Sequence, residues 1–247
     1  MLSPPFRDVL HYLRFRLRHR QQRLRPRRVV VDAAWREGAQ YTAHRPCHSA
    51  TIGARIIGRV DSPRDGDPAP STEAAVGRGI FLVFLVIWTT TLVGSVNADR
   101  VNGSLLHLPN LVFHEAGHVL FTPFGRFLTV LGGSLTQVLV PLVCAGAFLW
   151  QTRDPFGAAV AVWWAGENLI DVAPYINDAR DLQLVLLGGR TGAEVEGHDW
   201  EYLLNAMGVA QKDHAIASAV QALGTLTMVW ALIWGAMVVW SQVRTRR

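Results

Sequence analysis

The chain has 247 residues, half of them apolar, which suits one sizeable domain or a bundle of membrane helices. Its formal charge of +5 is concentrated: nine arginines lie in the first 28 residues. No nucleic-acid fold motif accompanies them, so a nucleic-acid partner is set aside in favour of a cytoplasmic topology signal. Two cysteines in different regions, Cys47 and Cys144, exclude a disulfide framework.

Residues 1–78 are polar and Arg-rich and read as a poorly ordered N-terminal extension and linker, with "DSPRDGDPAPSTE" at 61–73 as its flexible part. "VVVDAAW" is too short for the apolar core of a cleavable signal, so none is expected. "HRPCH", residues 44–48, has too few ligands for a metal site and reads as a surface loop.

Residues 79–247 read as one membrane-embedded domain. "IFLVFLVIWTTTLVGSV", residues 80–96, just meets the roughly 17–25 apolar residues of a span. Residues 105–124 are weaker, because Pro109 suits a helix start and Pro123 disfavours helix just before it. A helix between these prolines is about 21 Å long, against a hydrocarbon core of about 30 Å, so it is re-entrant or begins nearer Ser104. Residues 127–150, 156–176 and 214–240 are three further apolar blocks, the last closed by Arg244, Arg246 and Arg247. Arginines at both ends place both termini in the cytoplasm, which needs an even number of crossings, yet five apolar segments are present. No β pattern stands out. The expected fold is an all-α, polytopic transmembrane helical bundle in a bacterial inner membrane, with a cytoplasmic N-terminus.

The chemistry lies in the second apolar segment. His114-Glu115-Ala116-Gly117-His118 is H-E-x-x-H, expected about 0.01 times by chance in a chain of this composition. Residues four apart share a helix face, so two imidazoles can bind one metal ion. The adjacent carboxylate then lies close enough to take a proton from water. Ionisable groups at membrane depth are expensive and usually functional. Zinc suits these ligands, and a catalytic zinc keeps one position open.

Two imidazoles need a third ligand. Glu167, Asp171, Pro174 or Tyr175, and Asp178 form one helical stripe, and Asp171 and Asp178 are the alternatives. His198 in "GHDW" is a further possible ligand. Gln137 reads as polar glue between helices or as a lining of the site. Gly132-Gly133 allows close backbone approach. If the second and fourth apolar segments run side by side in one direction, depth in the bilayer favours Asp171.

"HEAGHVLFTPFGRFLTVLGG" resembles the site-2-protease family of intramembrane zinc metallopeptidases. Those proteins run H-E-x-G-H, a short apolar stretch, Phe-Gly and a Gly-rich segment, here His114 to His118, Phe124-Gly125 and Gly132-Gly133. The resemblance covers about residues 105–180. It implies a third ligand from an aspartate in a later membrane helix, near an Asn and a Pro. "ENLIDVAPYINDAR" echoes this with Asn168, Pro174 and either Asp171 or Asp178; no Asp-Gly follows. By its order along the motif, Asp178 is the aspartate that follows the proline.

The expected function is a membrane-embedded zinc metalloendopeptidase acting on a membrane-protein or peptide substrate in or near the lipid bilayer. His114, His118 and Asp171 or Asp178 are the zinc ligands, Glu115 is the general base, and Asn168 positions substrate or oxyanion. Two rivals are a non-catalytic membrane protein with a structural zinc site, and a di-iron oxygenase. The first has no use for Glu115; the second needs more histidine clusters than the chain offers.

Overall fold

A computed structural model of the chain describes residues 71–94, 96–187 and 189–244. The basic segment and "HRPCH" lie outside the described residues. Among the described residues seven α-helices follow one another: α1 Thr72–Leu92, α2 Ala98–Asn102, α3 His107–Phe121, α4 Arg126–Ala147, α5 Pro155–Asn177, α6 Asp199–Ala206 and α7 Asp213–Arg244. Among the described residues the only extended pairing is an isolated bridge between Val185 and Thr191.

α1 begins earlier than the apolar pattern suggests. Ser71 caps it by accepting from the Ala74 amide, and Glu73 stands in the first turn, where a helix dipole favours an anion. The end of the expected linker is thus a helix start, and the expected domain boundary at 78/79 falls inside α1. α3 has 15 residues, about 22 Å, and Thr122–Phe124 follow it as a tight turn around Pro123. Gly125, at φ +89°, then redirects the chain into α4. α5 starts at Pro155 with Asp154 as its cap.

Among the described residues three helical stretches are long and apolar enough to cross a membrane: Thr72–Leu92, Arg126–Thr152 and Ala210–Arg244. They carry exposed apolar faces, such as Ile80, Val83 and Ile87 on α1 and Leu226, Ile233 and Trp240 on α7. α5 differs, being buried along most of its length. It packs on α7 through glycines: a Cβ on Gly166 would stand 2.8 Å from the Gly224 carbonyl oxygen, and one on Gly224 2.6 Å from that of Gly166. Small residues that let backbones meet are the usual contact between helices in lipid. Leu85, Trp163, Ile170 and Met228 build the core around this seam.

Ion pairs fasten both ends of α5. Arg78 of α1 reaches Asp154 at 3.1 Å, and Arg180 grips the buried Asp213 at the start of α7 at 2.7 and 2.8 Å. α3 meets α5 in reverse order, His107 at Asp171, Asn110 at Glu167 and Phe113 at Trp164, so the two helices do not run in one direction. The neighbouring α3 residues Phe113 and His114 set their rings near Trp164 and Tyr175, positions about 16 Å apart along α5. Matching depths along two aligned helices, which favoured Asp171 as a ligand, therefore does not apply.

Candidate metal centre

The histidines of α3 are placed by α4. A Cβ on Gly117 would overlap the Gly132 carbonyl oxygen, so the two backbones touch there. The next residue, Gly133, faces the imidazoles: a Cβ would lie 2.6 Å from His114 Nε2 and 2.7 Å from His118 Nε2. The space in front of both nitrogens exists because this position has no side chain. We expect Gly133→Ala to abolish metal binding while keeping the helical circular dichroism. Full metal occupancy in that variant, by elemental analysis, would show that the space is not needed.

Each imidazole is held from behind. His118 Nδ1 lies 2.9 Å from the Thr129 backbone oxygen, which only accepts, so Nδ1 carries the hydrogen. His114 Nδ1 lies 3.1 Å from Gln137 Oε1 and donates to it. Both Nε2 atoms are therefore the free ligand positions. One ligand atom from each of His114, Glu115 and His118 lies within 4.8 Å of the others.

A third group meets the nitrogens from a part of the chain that carries no apolar segment. Asp199 Oδ2 lies 2.9 Å from His114 Nε2 and 3.2 Å from His118 Nε2. A tetrahedral zinc ion with bonds of about 2.0–2.2 Å holds its donors about 3.3 Å apart. The two nitrogen-to-oxygen distances, 2.9 and 3.2 Å, are close to that spacing.

Asp199 opens α6, whose position is well fixed. His198 Nδ1 caps the helix by accepting from the Glu201 amide at 3.1 Å, and burial keeps that imidazole below its ordinary pKa. The Asp199 amide donates to the Tyr175 phenol at 2.9 Å, and Trp200 Nε1 donates to Ser134 of α4 at 3.2 Å. Arg126 stacks on Tyr202 at 4.6 Å, and Leu203 and Leu204 are fully buried. Sequence reasoning singled out His198 here and passed over its neighbour. The available signal was an acidic residue flanked by His and Trp in a polar stretch.

The two aspartates expected as ligands have other partners. Asp171 accepts from Gln137 Nε2, from His107 Nδ1 at 2.8 Å and from Asn110 Nδ2 at 3.4 Å. Asp178 accepts from the amides of Gln183 and Leu184, both at 2.9 Å, and faces His198 Nε2 at 3.4 Å; it shapes the loop that leads to α6. Asn168 is fully buried and donates to the Trp164 carbonyl within α5, away from the cavity lining. Glu167 accepts from Asn110 at 2.8 Å.

In front of His114, Glu115 and His118 lies a cavity of about 450 Å³. Tyr175, His107 and the apolar run Leu184–Leu187 also line it. Val185 and Leu187 are largely exposed, so the cavity has an apolar lip. The Tyr175 phenol accepts from Asp199 and donates to no group among the described residues, which leaves its hydrogen available to a guest.

No protein-family model, curated protein or solved structure matches the chain.

Proposed function

We propose that the protein is an integral membrane zinc metallopeptidase whose metal is held by His114, His118 and Asp199. One observation carries the reading: one carboxylate oxygen lies within 3.2 Å of two imidazole nitrogens, beside a space kept open by Gly133. The donor set is that of a catalytic zinc site, three protein ligands with a fourth position facing a cavity. The three long apolar helical stretches support a place in the bilayer with α3, α4 and α5 forming the site. The arginines of the first 28 residues support a cytoplasmic N-terminus.

Zinc, when bound, supplies positive charge that polarises a carbonyl and acidifies a water. The protein's own groups do the rest. Glu115 is exposed to the cavity beside the first imidazole and takes the proton of the attacking water. It then returns that proton to the leaving amine, the role of a general base and acid. Tyr175 donates its free phenolic hydrogen to the oxygen that gains charge. The lip at Leu184–Leu187 excludes water and holds apolar side chains of a peptide. A structural zinc site is the weaker reading, because it has no role for a cavity-facing Glu115.

The test is the metal. Purified protein in detergent is expected to hold about one zinc per chain, and the double change His114→Ala, His118→Ala is expected to release it. Full occupancy in that double variant, by elemental analysis, removes the site.

A further inference from the structure

We infer that Asp171 is a positioning residue that fixes the tautomer of His114 through the amide of Gln137, and so keeps His114 Nε2 available to a metal. The inference rests on the reading that His114 and His118 hold a metal.

The argument is one of hydrogen-bond polarity. An ionised carboxylate only accepts. Asp171 Oδ2 meets the Gln137 amide, so the end of that amide facing it must be Nε2, the donor. The other end, Oε1, then faces His114 Nδ1 at 3.1 Å and only accepts. His114 Nδ1 must therefore carry the hydrogen, and its Nε2 keeps a lone pair. The polarity starts at a carboxylate buried in α5 and is delivered to a ligand on α3 by a side chain of α4.

The neighbouring groups fix the same sense. An indole only donates, and Trp164 Nε1 reaches Asn110 Oδ1 at 2.9 Å. Asn110 therefore turns its Nδ2 towards Asp171, at 3.4 Å, and Glu167, at 2.8 Å. His107 Nδ1 approaches Asp171 Oδ1 at 2.8 Å as a further donor. Every partner of Asp171 donates, and Gln137 and Asp171 are both buried. Replacing the carboxylate by an amide removes the constraint. Gln137 can then turn its donor to His114 Nδ1, which moves the imidazole hydrogen to Nε2 and blocks the metal.

The test is a polarity swap read by zinc affinity in chelator competition, using the full chain in detergent. Asp171→Asn is expected to weaken zinc about 10–100-fold, the range seen when an outer partner of a metal ligand is lost. In the double variant Gln137→Glu, Asp171→Asn the new carboxylate accepts directly from His114 Nδ1, and the new amide donates to that carboxylate. This swap is expected to restore zinc affinity to within about threefold of the wild type, and the absorption bands of the cobalt-loaded protein with it. A residue that bound the metal itself, or merely filled space, gives no such rescue. Wild-type affinity in Asp171→Asn overturns the inference. So does a double variant no better than Asp171→Asn, and, where Asp171→Asn fails to fold, a double variant that folds without binding. Retention of zinc by His114→Ala, His118→Ala overturns the functional reading instead, so the two failures are distinguishable.

Discussion

Glu115→Gln is expected to hold zinc at full stoichiometry and to lose peptide hydrolysis by about 10²–10⁴-fold or more, the usual contribution of a positioned acid–base group. The amide matches the carboxylate in shape, so neither the packing of α3 nor the imidazoles is disturbed. Among the described residues Glu115 makes no hydrogen bond to the groups that hold His114 and His118, which lean instead on Gln137 and Thr129. Only the capacity to take a proton is removed. The measurement is cleavage of a mixed peptide library by protein reconstituted in vesicles, read by mass spectrometry beside elemental analysis of the same sample. Wild-type cleavage by a zinc-loaded variant takes Glu115 out of the mechanism.

The second large effect separates three aspartates. Asp199→Ala is expected to weaken zinc binding more than 100-fold, beyond the 10–100-fold range of outer partners. Asp199 is the carboxylate that touches both imidazole nitrogens. Asp178→Ala is expected to leave zinc nearly intact, because Asp178 serves the amides of Gln183 and Leu184 and touches neither imidazole of α3. Asp171→Ala falls between them, through Gln137. Chelator titration of the three variants gives the order. Zinc lost from Asp178→Ala and kept by Asp199→Ala would falsify the assignment and return the third ligand to the stripe on α5.

The helices and the motif were legible in the sequence because both are local. Apolar blocks at 127–150, 156–176 and 214–240 became α4, α5 and α7 with small shifts at their ends. The proline brackets at 109 and 123 gave α3 to within two residues. The start of α1 was missed because its cap, Ser71, lies in a run that composition reads as linker. The site was legible only in its α3 half. Asp171 and Asp178 stood out as acidic residues in apolar surroundings, and the requirement that such groups be partnered is met, by amides and imidazoles. Asp199 stands in polar surroundings, where an aspartate is unremarkable. Its arrival at His114 depends on the loop that Asp178 folds and on the docking of Trp200 against α4. Contacts made across a loop leave no periodic trace along the chain. The packing of α3 against α4 and α5 is equally non-local, since it is made by Gly117 and Gly132 and by the rings of Trp164 and Tyr175.

The meeting of α3 and α4 at Gly117 and Gly132 also changes what the motif's own notation means. In H-E-x-x-H the two unnamed positions are treated as equivalent and free to vary. In this fold they are opposites. Ala116 is exposed and tolerates a larger residue. Gly117 is buried with the Gly132 carbonyl where its side chain would begin, so even a methyl group forces the two helices apart. Any such separation carries His114 and His118 away from Gly133 and from Asp199 together. The motif in this protein is therefore a five-letter word with one free letter, and its fourth letter is spelled by the neighbouring helix.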